Sequence, residues 1–167
     1  MNIFFLDYDP VLAAQYQCNR HVIKMVLEST QLLCSAHHVL GINPHIKLPL
    51  YKLTHKNHPC AKWVRDCDVN YYWLSTHAIA LCQEYTHRYN KTHKCEPLIW
   101  QLHLNLPLMM SRLSISNPPQ CMPDEYKQVD VVAAYRNYYI GEKAYFAKWT
   151  KRQPPEWWTV DKLSTTK

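Results

Sequence analysis

Glycine is almost absent from this sequence. Of 167 residues only Gly41 and Gly141 lack a side chain, so neither a GxGxxG dinucleotide turn nor a GxxxxGK[ST] phosphate loop can be written anywhere along it. Two large classes of nucleotide-binding protein are thereby excluded. Cys-x-x-Cys is absent as well. The seven cysteines (Cys18, Cys34, Cys60, Cys67, Cys82, Cys95 and Cys121) are odd in number and irregular in spacing, which argues against a disulfide framework and against a standard zinc finger. Reduced, mostly buried thiols are expected. No run approaches the ~18 apolar residues of a membrane span, and no basic segment with a long apolar block behind it opens the chain. We therefore expect a cytosolic protein without a membrane partner. Internal repeats and low-complexity tracts are also missing.

What is present reads as helix. Hydrophobic residues make up 47% of the chain and charged residues 19%, enough apolar material at this length for one compact domain spanning residues 1–167. The expected fold is mainly α: a bundle of three long helices with irregular connecting loops and a short N-terminal extended segment, NIFFLDYD. The first helix is predicted from Pro10 over residues 10–40, with a possible separate start because Cys18 to Arg20 is polar on several sides, and Gly41 stops it. A proline-punctuated loop follows. The second helix is predicted over 59–89, opening at Pro59, a residue suited to a first helical turn. EPLIWQLHLNLPLMMSRLSISNPPQCMP reads as an irregular crossing with one short helix, and a third long helix is predicted over 124–149, bent at Gly141. Residues 160–167 read as a frayed tail.

Within the first helix, NRHVIKMVLESTQ sets His21, Lys24, Glu28, Gln31 and Ser35 in one narrow arc at about 100° per residue. Val22, Ile23, Met25, Val26, Leu27, Leu32 and Leu33 occupy most of the remaining circumference, so the helix is expected to be buried around much of it. Such a strip is either a solvated edge or the wall of a pocket. Lys24 and Glu28 are an i, i+4 pair in the weaker orientation for helix support, so a site is worth testing there. In the second helix, Asn70, His77, Glu84 and Arg88 share a polar side, and Glu84 with Arg88 forms a correctly oriented pair whose role reads as structural.

Net charge is +6, and the excess lies beyond the first fifty residues, which carry three basic and three acidic side chains. An anionic partner fits that balance. YRNYYIGEKAYFAKWTKR interleaves basic and aromatic residues, a mixture suited to phosphates and unpaired bases, although aromatics at helical spacing are also ordinary core. Ten histidines raise a metal reading in which His55, His58 and Cys60 of THKNHPC are ligands. The spacing matches no standard zinc pattern, and we expect a site without metal or cofactor.

His21-x6-Glu28 resembles the first long helix of the pyrimidine-dimer DNA glycosylases, the bacteriophage endonuclease V family, in which a glutamate seven residues after a histidine is the catalytic carboxylate. NHPCAKW is similar to that family's segment around a second histidine, and Glu84-x3-Arg88 is similar to the ending of its next helix. The opening Asp-x-Asp-Pro also resembles uncharacterised phage-encoded proteins. The resemblance implies that Glu28 stabilises a cationic sugar beside C1′ and that His21, Gln31 and His58 read or protonate a flipped base. It also implies that Trp63 or Tyr71 stacks on the base, with Asn57 and Asn70 among the base-contacting groups. Arg88, Lys91, Arg136 and Lys148 would hold backbone phosphates.

There are departures. The family's nucleophile is the amine of a threonine exposed by loss of the initiator Met; here Met1 precedes Asn2, a neighbour expected to keep Met1 in place. Two arginines that the family carries near its glutamate stand as Leu27 and Gln31. Lys24, if buried, or water with Glu28 or Asp7 as base, then supplies the attacking group. The expected partner is DNA or a nucleotide ligand, in unknown oligomeric state. The alternatives are a non-catalytic, sequestering nucleotide- or nucleic-acid-binding protein on the same fold, and a metal-dependent enzyme using His55, His58 and Cys60.

Overall fold

A computed structural model describes residues 1–160, so most of the predicted frayed tail lies outside the described residues. Among them the secondary structure is α-helix and one 3-10 turn, with no strand. The helices are α1 (Pro10–Tyr16), α2 (Asn19–Leu40), α3 (Pro59–Val64), α4 (Asp68–Tyr89), α5 (Glu96–Leu104) and α6 (Val131–Lys143). The N-terminal segment is extended, as its composition suggests, but pairs with no strand. Three long helices are not what forms: α2 and α4 run for 22 residues each, and the other helices are short.

Each discrepancy has a local cause. The first predicted helix breaks at Gln17 and Cys18, both extended, because buried donors from elsewhere satisfy the freed backbone. Arg88 gives its guanidinium to the carbonyls of Gln15 and Gln17 at 3.0 and 2.8 Å, and the Tyr139 hydroxyl accepts the Cys18 amide at 2.9 Å. The second predicted helix breaks at residues 65–67. There Asn70 turns its side-chain amide back to the Trp63 carbonyl at 2.9 Å and binds Ser116 through both its amide and its oxygen. α6 starts seven residues later than predicted because Asp130 caps it, accepting from Val132 and Ala133; Asp9 caps α1 in the same way. Gly141 falls inside α6, near its C-terminal end. It leaves space for the Tyr126 ring, which a Cβ would strike.

α4 is the centre of the packing, with α1, α2 and α5 against it. One hydrophobic cluster runs through all of these and α6. Its largest fully buried side chains include Tyr71, Tyr135 and Tyr139, and each hydroxyl is used. Tyr71 donates to Leu102 O, Tyr135 to Pro119 O, and Tyr139 meets His21 Nδ1 at 2.7 Å. Of the basic and aromatic C-terminal stretch, Tyr135 and Tyr139 are thus core. Beyond α6 the chain is irregular and folds back, Trp149 donating to Tyr16 O and Arg152 pairing with Glu84. No helix among the described residues is long and apolar enough to cross a membrane.

Candidate active site

Residues 2–4 lie along the polar strip of α2. The Asn2 backbone N–H donates to Glu28 Oε2 at 3.1 Å, while Lys24 Nζ stands 3.2 Å from Oε1. The carboxylate is 13% exposed and the lysine 68%, so Glu28 is held between a fixed amide and a solvated ammonium. Asn2 is itself anchored: its side-chain amide donates to Cys121 O at 2.9 Å, and its Oδ1 accepts from Ile3 and Phe4. Phe4 adopts φ +56, a left-handed conformation that costs a side-chain-bearing residue about 1 kcal/mol or more. In exchange its ring stacks on His21 with centroids 4.3 Å apart.

A second cluster adjoins the first. His58, at the start of α3, accepts the Cys60 amide on Nδ1 at 3.1 Å, and Cys60 Sγ lies 3.5 Å from Cys121 Sγ. The ligand atoms of His58, Cys60 and Cys121 lie within 4.8 Å of one another. Burial first, then the amino-terminal charge and His55, lower the His58 pKa, with Glu28 opposing them. The hydrogen bond between the thiols, reinforced by burial, pushes Cys60 up. The same bond pulls Cys121 down to about 7. These electrostatic couplings tie the two clusters into one neighbourhood.

Of the sequence candidates, Glu28, Lys24 and His58 come together here. Gln31 is half-buried on the next turn and Asn57 is exposed before α3. His21, two turns from Glu28, is packed beneath Phe4 and against Tyr139, and burial lowers its pKa to about 3, aided by Lys143 and Lys24. It is a neutral core imidazole. Asp7 pairs with Arg136 at 2.8 Å, and Arg136 also donates to Leu6 O; both are committed to each other.

Trp63, Asn70, Tyr71 and Arg88 are buried. No ring face of Trp63 or Tyr71 is open for stacking, Asn70 joins α3 to the loop at Ser116, and the donors of Arg88 are spent on Glu84, Asn19 and the α1 carbonyls. Their polarity serves the interior. Lys91 and Lys148 remain exposed. Lys24 is solvated, not buried. His55 is outside the thiol cluster, its Nδ1 2.6 Å from Thr54 Oγ1. A cavity of about 490 Å³ between residues 48–51 and the start of α5 is lined by Leu48, Tyr51, Lys94 and Leu98 among others. None of its lining residues is a sequence candidate.

Two participants were missed. Asn2 reads as a determinant of Met1 retention, not as a partner of Glu28, and Cys121 sits in a proline-rich stretch without a motif. Their only sequence signal is negative, a polar residue inside an apolar segment and an unassigned cysteine.

The fold and site define an all-α protein that presents a shielded helical carboxylate to the backbone nitrogen of residue 2. A family model described as pyrimidine dimer DNA glycosylase matches residues 1–97, which contain α1 to α4 and every residue of the site except Cys121. The chain belongs to the pyrimidine dimer DNA glycosylase family. No curated protein and no solved structure matches it.

Proposed function

We propose that the protein is a DNA N-glycosylase acting on a damaged or modified base, with Glu28 as its essential carboxylate. The observation that carries this is the 3.1 Å hydrogen bond from the Asn2 nitrogen to Glu28 Oε2. It fixes a negative charge beside a nitrogen of the chain's first residues, the pairing that excision chemistry uses. As the base departs with the electrons of the N-glycosidic bond, the sugar becomes cationic at C1′, and a preorganised carboxylate stabilises that charge.

The attacking atom follows from the state of residue 1. While it is attached, the Asn2 nitrogen is an amide without nucleophilic character, so water attacks C1′, Glu28 takes its proton, and no strand scission follows. Removal of residue 1 would convert the same atom into an amine, which forms an imine with the sugar. Lys24, 3.2 Å from Glu28 Oε1, is the other amine within reach. The exposed Lys91 and Lys148 are available to phosphates, and base extrusion brings the target to the protein surface at Glu28.

The test is base release from ultraviolet-irradiated duplex DNA and from duplexes carrying single modified bases, with wild type and Glu28→Gln. Loss of one electrostatic stabiliser is expected to slow release by ~10²-fold or more while DNA binding persists. Equal release by both proteins overturns the assignment of Glu28. Binding without release by wild type favours the sequestering alternative. Borohydride trapping with intact-mass analysis locates any imine: none if water attacks, at residue 2 if Met1 is gone, and abolished by Lys24→Gln if the lysine is the nucleophile.

A further inference from the structure

The thiol cluster is not used by the excision chemistry. Cys60 and Cys121 are far apart in sequence, yet their sulfurs stand 3.5 Å apart, with His58 completing a group whose ligand atoms all lie within 4.8 Å. A tetrahedral zinc ion bound at about 2.3 Å to each sulfur separates them by ~3.8 Å, and the sulfur to nitrogen edge is ~3.6 Å. The observed sulfur pair is within a few tenths of an ångström of that edge, and the imidazole needs a displacement of about 1.2 Å at most to close the triangle.

We propose that His58, Cys60 and Cys121 bind a thiophilic divalent cation of the zinc class, leaving a fourth coordination position open. The donor set of two thiols and one imidazole selects this class over magnesium or calcium, which take oxygen ligands. Coordination releases both thiol protons to solvent. His58 Nδ1 then either gives its lone pair to the metal or, if Nε2 ligates, carries the imidazole proton; in both cases it ceases to accept the Cys60 amide, and the present cap of α3 is given up for the metal bond.

The consequence reaches the active site. Cys121 O is the acceptor for the Asn2 side chain, and Asn2 N is the donor to Glu28. An ion that locks Cys121 to α3 therefore locks the segment that shields the carboxylate. Two ligands lie within the family match and Cys121 lies beyond it, so the clamp joins the matched helices to the remainder of the chain.

The test uses the full chain, purified under reducing conditions, stripped with chelator and titrated with zinc chloride and, separately, cobalt chloride. About one equivalent of zinc per chain is expected, with the intense absorption of cobalt-thiolate coordination. His58→Ala and Cys121→Ser should weaken zinc binding at least ~10-fold, whereas Cys95→Ser, altering a thiol outside the cluster, should not. Should a ligand variant fail to fold, zinc protection of Cys121 from alkylation in wild type, read by peptide mass, gives the same answer.

Zinc far below stoichiometry, unchanged binding in Cys121→Ser, or a Cys60–Cys121 disulfide persisting under reductant each overturns the proposal. None of these readouts involves base release, so the metal site and the glycosylase reading fail independently.

Discussion

A buried arginine in this protein does the work of a helix terminus. The Arg88 side chain is fully buried and that of Glu84 5% exposed, and the guanidinium divides its donors among that carboxylate, Asn19 Oδ1 and the last carbonyls of α1. Truncating Arg88 leaves Glu84 with Arg152 alone and strands two main-chain carbonyls in the interior. Arg88→Leu is expected to cost about 3–5 kcal/mol, read as a shift in the urea midpoint. Arg88→Lys should recover little of it, since a single ammonium cannot reproduce the planar fork. Lys148→Ala, at an exposed position, should leave the midpoint unmoved and weaken DNA binding more as salt is lowered. If instead Arg88→Leu keeps its stability and loses DNA binding, the arginine is a phosphate contact after all.

At the scale of elements, the breaks between α1 and α2 and between α3 and α4 decide where the site sits. Both breaks are held by side chains distant in sequence or buried by tertiary packing. Asn70 is the clearest case: it closes α3 at the Trp63 carbonyl and holds the loop at Ser116. Asn70→Leu preserves approximate size and removes all three bonds, leaving buried groups unpaired at ~1–3 kcal/mol each. We expect a lowered melting temperature and faster amide exchange at Ser116, a pattern that a substrate-contacting residue would not produce.

The same breaks explain what could be read in advance. The helical periodicity within residues 10–40 and 59–89, the starts at Pro10 and Pro59, and the stop at Gly41 are local signals, and they marked where α1 and α3 begin and where α2 ends. A bend that depends on Arg88 reaching back to Gln15 leaves no trace in the residues that bend. Likewise Glu28 and His58 could be singled out because each sits in a short motif, while Asn2 and Cys121 join them through contacts spanning 26 and 119 positions. Asn70, Tyr71 and Arg88 read as substrate-binding candidates and stand in the interior for one physical reason. A polar side chain satisfying buried backbone and one lining a pocket share the same helical face.

For the molecule as a whole, three buried histidines set how stability depends on pH. The Tyr139 hydroxyl, which accepts the Cys18 amide, meets His21 Nδ1 at 2.7 Å, and the ring is buried beneath Phe4. His37 accepts the Asn43 amide on Nδ1 and meets Tyr71 through Nε2. His77 faces Pro10 O through Nδ1 and the Gln17 amide through Nε2. The partners of His37 and His77 thus suit the neutral ring, and burial keeps His21 neutral as well. Burial lowers His21 to about 3, His37 to about 4 and His77 to about 4, with His38 assisting at His37 and the Pro10 carbonyl opposing at His77.

In the unfolded chain all three titrate near ~6.5. Below that pH the unfolded state binds more protons than the native one, so stability falls as pH drops from about 6.5 toward about 4, by up to ~1.4 kcal/mol per unit for each histidine, and is flat from this source above 6.5. Urea unfolding at pH 7.5, 6.0 and 5.0 should give midpoints that decline from the first to the second and more steeply from the second to the third, together with proton uptake on unfolding at pH 5.0. Because the shifts arise chiefly from burial, added salt should leave the trend in place. Midpoints independent of pH across this window would mean that these rings are solvated, and with them the packing of α2 against α4 and of Phe4 over the strip that carries Glu28.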